Sequence, residues 1–489
     1  MNKASIMVSS QWSRGIVAGV SLGLFCLAGC GKPEGAGNDA SSTAKSAPAK
    51  TNTETPAATA PAHAAATPEP AGAAQTVTTT EKTAPQTSKP AAKATANPSD
   101  VKAARGRIDE LGARAKYLPK TGDLLTEIVI QDGSNLKAED LELFGKLSDL
   151  KKIQIFNCRA LNDEMAAKLN GLKGLTSLAL TNTTINDGAV EAIVKSFPNL
   201  LELDLSSNTN MTNSVVKIVS ELPKLQRLTL VQNKVNDIGA QRFSKLLELR
   251  ALDLRGNMEA GDSALEVVAD LPKLTGFKHR STAVTDGGLE YLARNQTLDS
   301  LLIQDFAITD QSGQYLAKLG KLTQLEIFRC QGFGSDGVLA LKGMGLTRLT
   351  LRDLPNVSDQ AMEVFDDLPK LRRLYLHELS SVSDTGLKHL AALKSLELLD
   401  IWTVPQLTDA TIDVIAGLPK LKELSIRATG VTDACIDKLL NMSNLQTLTF
   451  KNNAAITPEG QKKLSARKWT KLDLGTAGDT DGSEPGDAK

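Results

Sequence analysis

The sequence predicts an α/β solenoid, an open array of short parallel strands with a short helix after each, and three regularities carry that prediction. The pattern L-x-x-L-x-L returns fifteen times in phase, opening at Leu125, Leu150, Leu175, Leu200, Leu225, Leu249, Leu274, Leu298, Leu322, Leu346, Leu371, Leu396, Leu421, Leu445 and Trp469, always 24 or 25 residues apart. A helix start follows each strand, as in Ile185-Asn186-Asp187, Val284-Thr285-Asp286, Val357-Ser358-Asp359, Val382-Ser383-Asp384, Leu407-Thr408-Asp409 and Val431-Thr432-Asp433. The Asn, Thr or Ser accepts an orphan backbone amide, and the aspartate complements the positive end of the helix. The wording then closes on Leu222-Pro223, Leu271-Pro272, Leu368-Pro369 and Leu418-Pro419, because proline cannot continue a helix.

Each unit is therefore expected to hold one strand and one helix of two to three turns. A unit such as Leu396 to Leu418 carries too few apolar side chains to offset the entropy of ordering itself, so it folds only by stacking on its neighbours. Fifteen parallel strands about 4.8 Å apart give a concave sheet with an arc near 70 Å.

In phase and period the stretch from Leu125 to Leu474 closely resembles the leucine-rich-repeat family. That resemblance implies a horseshoe with the parallel sheet on its concave face and the helices on its convex face. It also implies that the next consensus position, held here by Cys158, Asn208, Asn233, Asn257, Cys330 and Asn453, turns inward and satisfies loop backbone groups. The cap, helix and proline wording looks most like the cysteine-containing subtype, which also occurs in F-box substrate receptors. No segment before Leu125 looks like an F-box, so that role is not carried over.

The two ends read differently. Residues 1–29 have a signal-peptide layout: Lys3 and Arg14, then an apolar run from Gly15 to Ala28 that is too short to span a bilayer comfortably. Leu27-Ala28-Gly29-Cys30 resembles the lipobox of bacterial lipoproteins, which implies cleavage after Gly29 and acylation of Cys30; Gly31, not being aspartate, implies outer-membrane sorting. Two or more acyl chains make such an anchor effectively permanent. Residues 30–98 follow as a spacer. From Gly31 to Pro98 there is no Leu, Ile, Met, Phe, Tyr or Trp, so nothing offsets ordering entropy and disorder is expected. Residues 99–124 are expected to form an N-terminal capping helix, opened by Ser99, with Val101, Ala104, Ile108, Leu111, Ala115 and Leu118 on one face. The solenoid then occupies residues 125–475, and residues 476–489 an acidic tail. Of the five cysteines, Cys26 leaves with the signal and Cys30 takes lipid, which leaves Cys158, Cys330 and Cys435 buried and far apart rather than paired.

The chemistry expected of this chain is recognition. Strand residues between the inward leucines share one open surface. The position six residues after each opening leucine reads Arg255, Arg280, Gln304, Phe328, Arg352, His377, Trp402, Arg427 and Lys451; two positions earlier the row reads Asp253, Lys278, Leu302, Glu326, Thr350, Tyr375, Asp400 and Ser425. Aromatic residues are only 4% of the chain, so Phe328, Tyr375 and Trp402 interleaved with arginines single out one patch. Arg280, Phe328, Arg352, Tyr375, His377, Trp402 and Arg427 are its candidate ligand-binding residues, for a protein or polysaccharide on the concave face. Lysine plus arginine and aspartate plus glutamate are equal at 56 each, so no net field points to nucleic acid. Catalytic residues, metal ligands and cofactors are not expected: His63, His279, His377 and His389 fall far apart, and neither H-E-x-x-H nor G-x-S-x-G occurs. Gly332 to Gly337 matches G-x-G-x-x-G, but in the register of the repeat loop. The expected function is a membrane-anchored, non-catalytic binding module of the bacterial envelope; the alternative is a structural or adhesive spacer.

Overall fold

A computed structural model describes residues 96–118 and 124–475. Cys30, the spacer, His63 and the acidic tail lie outside the described residues. Sixteen strands form one open sheet in strict chain order. From Leu125–Ile130 to Lys471–Asp473 every neighbouring pair is parallel and in the register the repeat dictates, for instance Leu374 against Leu399 and Leu376 against Ile401. The L-x-x-L-x-L leucines alternate with the open-face residues, and one continuous apolar core runs beneath the sheet from Ala104 to Leu464.

The capping segment differs from the expectation. The helix spans Pro98–Glu110 and is capped by Asn97, whose side chain accepts from Ser99 N at 3.0 Å; Ser99 itself lies inside it. Gly112, in the left-handed region at φ 60°, ends it, with Ala113 N bonded to Ile108 O at 2.9 Å. Residues Arg114–Tyr117 then form a sixteenth strand, antiparallel to Leu125–Ile130, and Leu118 is exposed instead of packed. Ala104 and Ile108 alone of the expected helix face are fully buried.

The repeat helices are shorter than two to three turns in many units. They range from Asp187–Ser196 down to the four residues Asp237–Ala240 and Asp384–Leu387, both continued as 3-10 helix, and Asp359–Asp367 is 3-10 throughout. A 3-10 turn rises further per residue, so it bridges the same distance with less chain. The prolines sit in the return turn, after helices that already stop at Val219, Ala269 and Ala416, while Leu222, Leu271 and Leu418 are buried there.

Where an aspartate opens the helix, it bonds the next repeat. Asp384 accepts from Thr408 N at 2.9 Å and from its hydroxyl at 2.5 Å; Asp359 does the same for Ser383, Asp409 for Thr432 and Asp433 for Thr457. A helix-cap feature is thus also a seam between units. Asn208, Asn233, Asn257 and Asn453 are buried in the loops, where Asn257 Oδ1 accepts from Asn233 N and Val235 N at 3.0 Å each and its amide donates to Leu230 O and Leu254 O at 2.7 and 2.9 Å. Cys158, Cys330 and Cys435 are buried free thiols, and burial above all pushes Cys330 and Cys435 up to about 12.

Candidate functional site

The candidate site grows from the ends of five adjacent strands. Register places Phe328, Arg352, His377, Trp402 and Arg427 side by side, each opposite the next. Parity sends all five to the open face, because Leu351, Leu376, Ile401 and Ile426 point into the core. Each of these strands, and the one before them, is followed by a residue with a left-handed backbone although none is glycine: Asp305, Arg329, Asp353, Glu378, Thr403 and Ala428, at φ between 50° and 59°. Such a conformation costs about 1 to 2 kcal/mol for a residue with a Cβ. It is held because the amide adds one more bond to the ladder: Arg329 N to Arg352 O, Asp353 N to His377 O and Glu378 N to Trp402 O, at 3.0, 3.1 and 2.8 Å.

The row is a stack. The Arg352 guanidinium carbon lies 4.3 Å from the Phe328 ring and 5.2 Å from the Trp402 ring; Arg329 covers Phe328 at 4.4 Å and Arg427 covers Trp402 at 5.3 Å. His377, between Arg352 and Trp402 in register, meets Tyr375 and Trp402 edge-on at 6.0 and 5.9 Å. Consequently Arg352, His377 and Arg427 are not open to solvent as expected of their position: they are 8%, 2% and 7% exposed. Parity put them on the right face, and mutual stacking buried them there. Phe328, Tyr375 and Trp402 are half-buried. Arg280 stays outside the stack, paired with Asp305, which also binds Arg329 at 2.8 Å.

Carboxylates that sequence reasoning did not assign to the site tie the stack together. Arg352 pairs with Glu378 at 3.5 Å, and Asp400 lies 3.3 Å from both His377 Nε2 and Arg427. Burial acts to raise the Asp400 carboxyl, but His377 and Arg427 outweigh it and hold the group below the usual carboxylate range. Asp305, Arg329 and Glu378 share one phase, seven residues after the opening leucine, and that spacing was the available signal for them.

Inward leucines in a continuous parallel ladder, with buried asparagines bonding the loops, decide the architecture. The fold is a leucine-rich-repeat solenoid. No family model matches the chain, and no curated protein matches it. Among solved structures the solenoid is similar to an internalin from Listeria monocytogenes, with 21% identity over 69% of this chain and 99% of that one and a TM-score of 0.46. It is also similar to yeast Rad7, solved in complex with Elc1, with 16% identity over 74% and 90% of the two chains and a TM-score of 0.49. A plant peptide hormone receptor, RGFR1 in complex with RGF2, shows 15% identity over 67% of this chain and 49% of that one, with a TM-score of 0.33. These likenesses concern the fold alone.

Elsewhere on the solenoid the other motifs resolve into packing. Gly334 N and Gly337 N of the G-x-G-x-x-G stretch donate to Asp310 Oδ1 at 2.6 and 2.9 Å, so a neighbouring repeat already holds the amides a phosphate would need. A Cβ on Gly337 would also meet the Phe333 ring at 2.7 Å, which accounts for the glycine. Among the described residues no cluster of His, Cys, Asp and Glu is placed to hold a metal ion, and no helix is long and apolar enough to cross a membrane.

Proposed function

We propose that the chain is a non-catalytic recognition module, tethered to a bacterial membrane through acylated Cys30, that binds a protein partner of the envelope or exterior on the open face around Arg352 and Trp402. The tether is supported by Leu27-Ala28-Gly29-Cys30 and by the spacer composition. The single observation that carries the binding reading is the preformed stack of arginines and aromatic rings. Arginine and aromatic side chains are the usual interface anchors, and a row already locked by stacking and ion pairs loses little further freedom on binding.

A protein is favoured over a polysaccharide by the state of the rings. Phe328 is covered by Arg329, the next residue of its own repeat, and by Arg352 of the following strand, and Trp402 by Arg352 from two strands before and Arg427 from the strand after. Sugars bind aromatic residues through an open ring face, whereas these rings offer edges flanked by guanidinium groups. The test is crosslinking in intact cells that produce either the full chain or its Trp402→Ala, Arg352→Ala double variant, with captured neighbours identified by mass spectrometry. A protein captured by the first and lost by the second is the expected result. Equal capture by both would remove the patch and leave a spacer role that depends on length and tether.

A further inference from the structure

One row from the stack, the open face gathers polar groups that the stack does not use. Arg348 and Arg373 stand opposite each other on neighbouring strands, and Thr350 and Tyr375 stand opposite each other in the next row. Like charges across a ladder are unfavourable unless an opposite charge lies between them. Arg348 reaches Glu326 at 3.4 Å, while Arg373, which is exposed, makes no ion pair among the described residues.

Thr350 supplies an independent observation. It lies on the open face between inward Leu349 and Leu351, is 9% exposed, and its hydroxyl has no hydrogen-bond partner among the described residues; nor has the Arg348 Nε–H on the same strand. The Arg348 guanidinium lies 4.9 Å over the Tyr375 ring, and burial pushes the Tyr375 phenol up, so it remains a protonated donor. Two guanidiniums that only donate and two hydroxyls that can donate therefore converge. The central row here runs Glu326, Thr350, Tyr375, Asp400. The donors are thus bounded on both sides by a carboxylate.

On the reading of this face as a protein-binding surface, on which the inference rests, we propose that Arg348, Thr350, Arg373 and Tyr375 form an anion subsite for a single carboxylate, from an aspartate or glutamate side chain of the partner. Glu326 and Asp400 repel a second anion at the spacing of the next strands, which excludes a polyanionic glycan laid along the row and admits one acidic side chain in an otherwise uncharged segment. A side-chain carboxylate also matches guanidinium geometry through paired N–H donors.

The experiment immobilises the full chain and offers two soluble hexapeptide pools, identical and uncharged except for one glutamate in the first and glutamine in the second, with retention read by mass spectrometry. The glutamate pool should be retained about tenfold or more over the glutamine pool, the difference expected for a charge-assisted hydrogen-bonded pair. Arg373→Gln, at an exposed position that makes no ion pair among the described residues, should bring the glutamate pool down to the glutamine level and leave the latter unchanged; Thr350→Val should lower the same preference. The Trp402→Ala, Arg352→Ala double variant should lower both pools together. Equal retention of the two pools by the unaltered chain overturns the subsite, and a loss of both in the double variant then leaves the broader binding reading standing. Retention of neither pool counts against both. Stronger retention of heparin or inorganic sulfate than of the glutamate pool overturns the choice of ligand.

Discussion

His279 occupies an inward strand position that the next two repeats give to Ile303 and Ile327. It is fully buried against Phe277 and Phe306, with Nδ1 3.1 Å from Leu254 O and Nε2 2.8 Å from Ala260 O. Burial holds its pKa below the ordinary 6.5, against the two carbonyls, which act to raise it. The unfolded chain takes up the proton near that ordinary value and the folded chain only at lower pH. Stability from this group is therefore complete above pH of about 6.5 and falls as pH drops towards the folded value, by at most about 1.4 kcal/mol per pH unit. Urea melts of the chain and of His279→Leu at successive pH values between neutral and mildly acidic test this. The variant should be less stable at neutral pH by about 1 to 3 kcal/mol, because a buried carbonyl loses the one N–H that the neutral ring donates, and should show a flatter decline with acid. An unchanged slope would show that the proton binds elsewhere.

How legible each residue was follows from where its partner sits. The inward leucines were readable because a repeat period is a property of the sequence itself. That Arg352 is buried on the open face was not, because the rings it stacks on, Phe328 and Trp402, lie about one repeat before and two repeats after it. The left-handed strand ends at Asp305, Arg329 and Glu378 were equally hidden, since none is a glycine and what holds them is a ladder bond to the following repeat.

At the scale of the element, the seam of aspartates distinguishes these helices from isolated capped ones. Sequence places Asp384 next to Ser383 and reads it as a counter-charge to its own helix; in the fold its carboxylate also holds Thr408 and the Thr411 hydroxyl of the next unit. Burial acts to raise the Asp384 carboxyl, but those bonds outweigh it and set it below 3.8. Its contribution is thus present above pH of about 4 and lost as pH falls through the lower folded value. Asp384→Asn should cost about 1.5 to 3 kcal/mol at neutral pH, with the difference from the unaltered chain shrinking in strong acid. Amide exchange should locate the loss at Thr408 to Thr411; protection unchanged there would rule out the seam.

Across the whole molecule the two ends are finished by different devices. The first end carries helix Pro98–Glu110 and an antiparallel strand. At the last, the Arg467 guanidinium donates to Leu439 O, Leu440 O, Met442 O and Leu445 O at 3.1, 3.0, 3.0 and 2.6 Å, and stacks on Trp469 at 4.2 Å. The edge strand Lys471–Asp473 is short and charged, which discourages a further strand from adding to it. In a stack where each unit contacts only its neighbours, losing such a cap should fray the end first. Arg467→Ala should therefore abolish exchange protection from Leu445 onward by about 2 to 4 kcal/mol, with central repeats such as Leu322 to Phe328 unaffected. Uniform loss along the array would mean that the solenoid melts as one unit.

The sequence by itself determined the repeat, the inward and outward parity of every strand residue, and the row that brings Phe328, Arg352, His377, Trp402 and Arg427 together, because a constant spacing in a parallel ladder leaves no other register. Tertiary structure alone decided which of those outward residues stay open, which carboxylates neutralise them, and that the buried Thr350 hydroxyl is left without a hydrogen-bond partner among the described residues. Those outcomes depend on side chains from units one and two repeats apart, whose distances are set by stacking and not by any spacing along the chain.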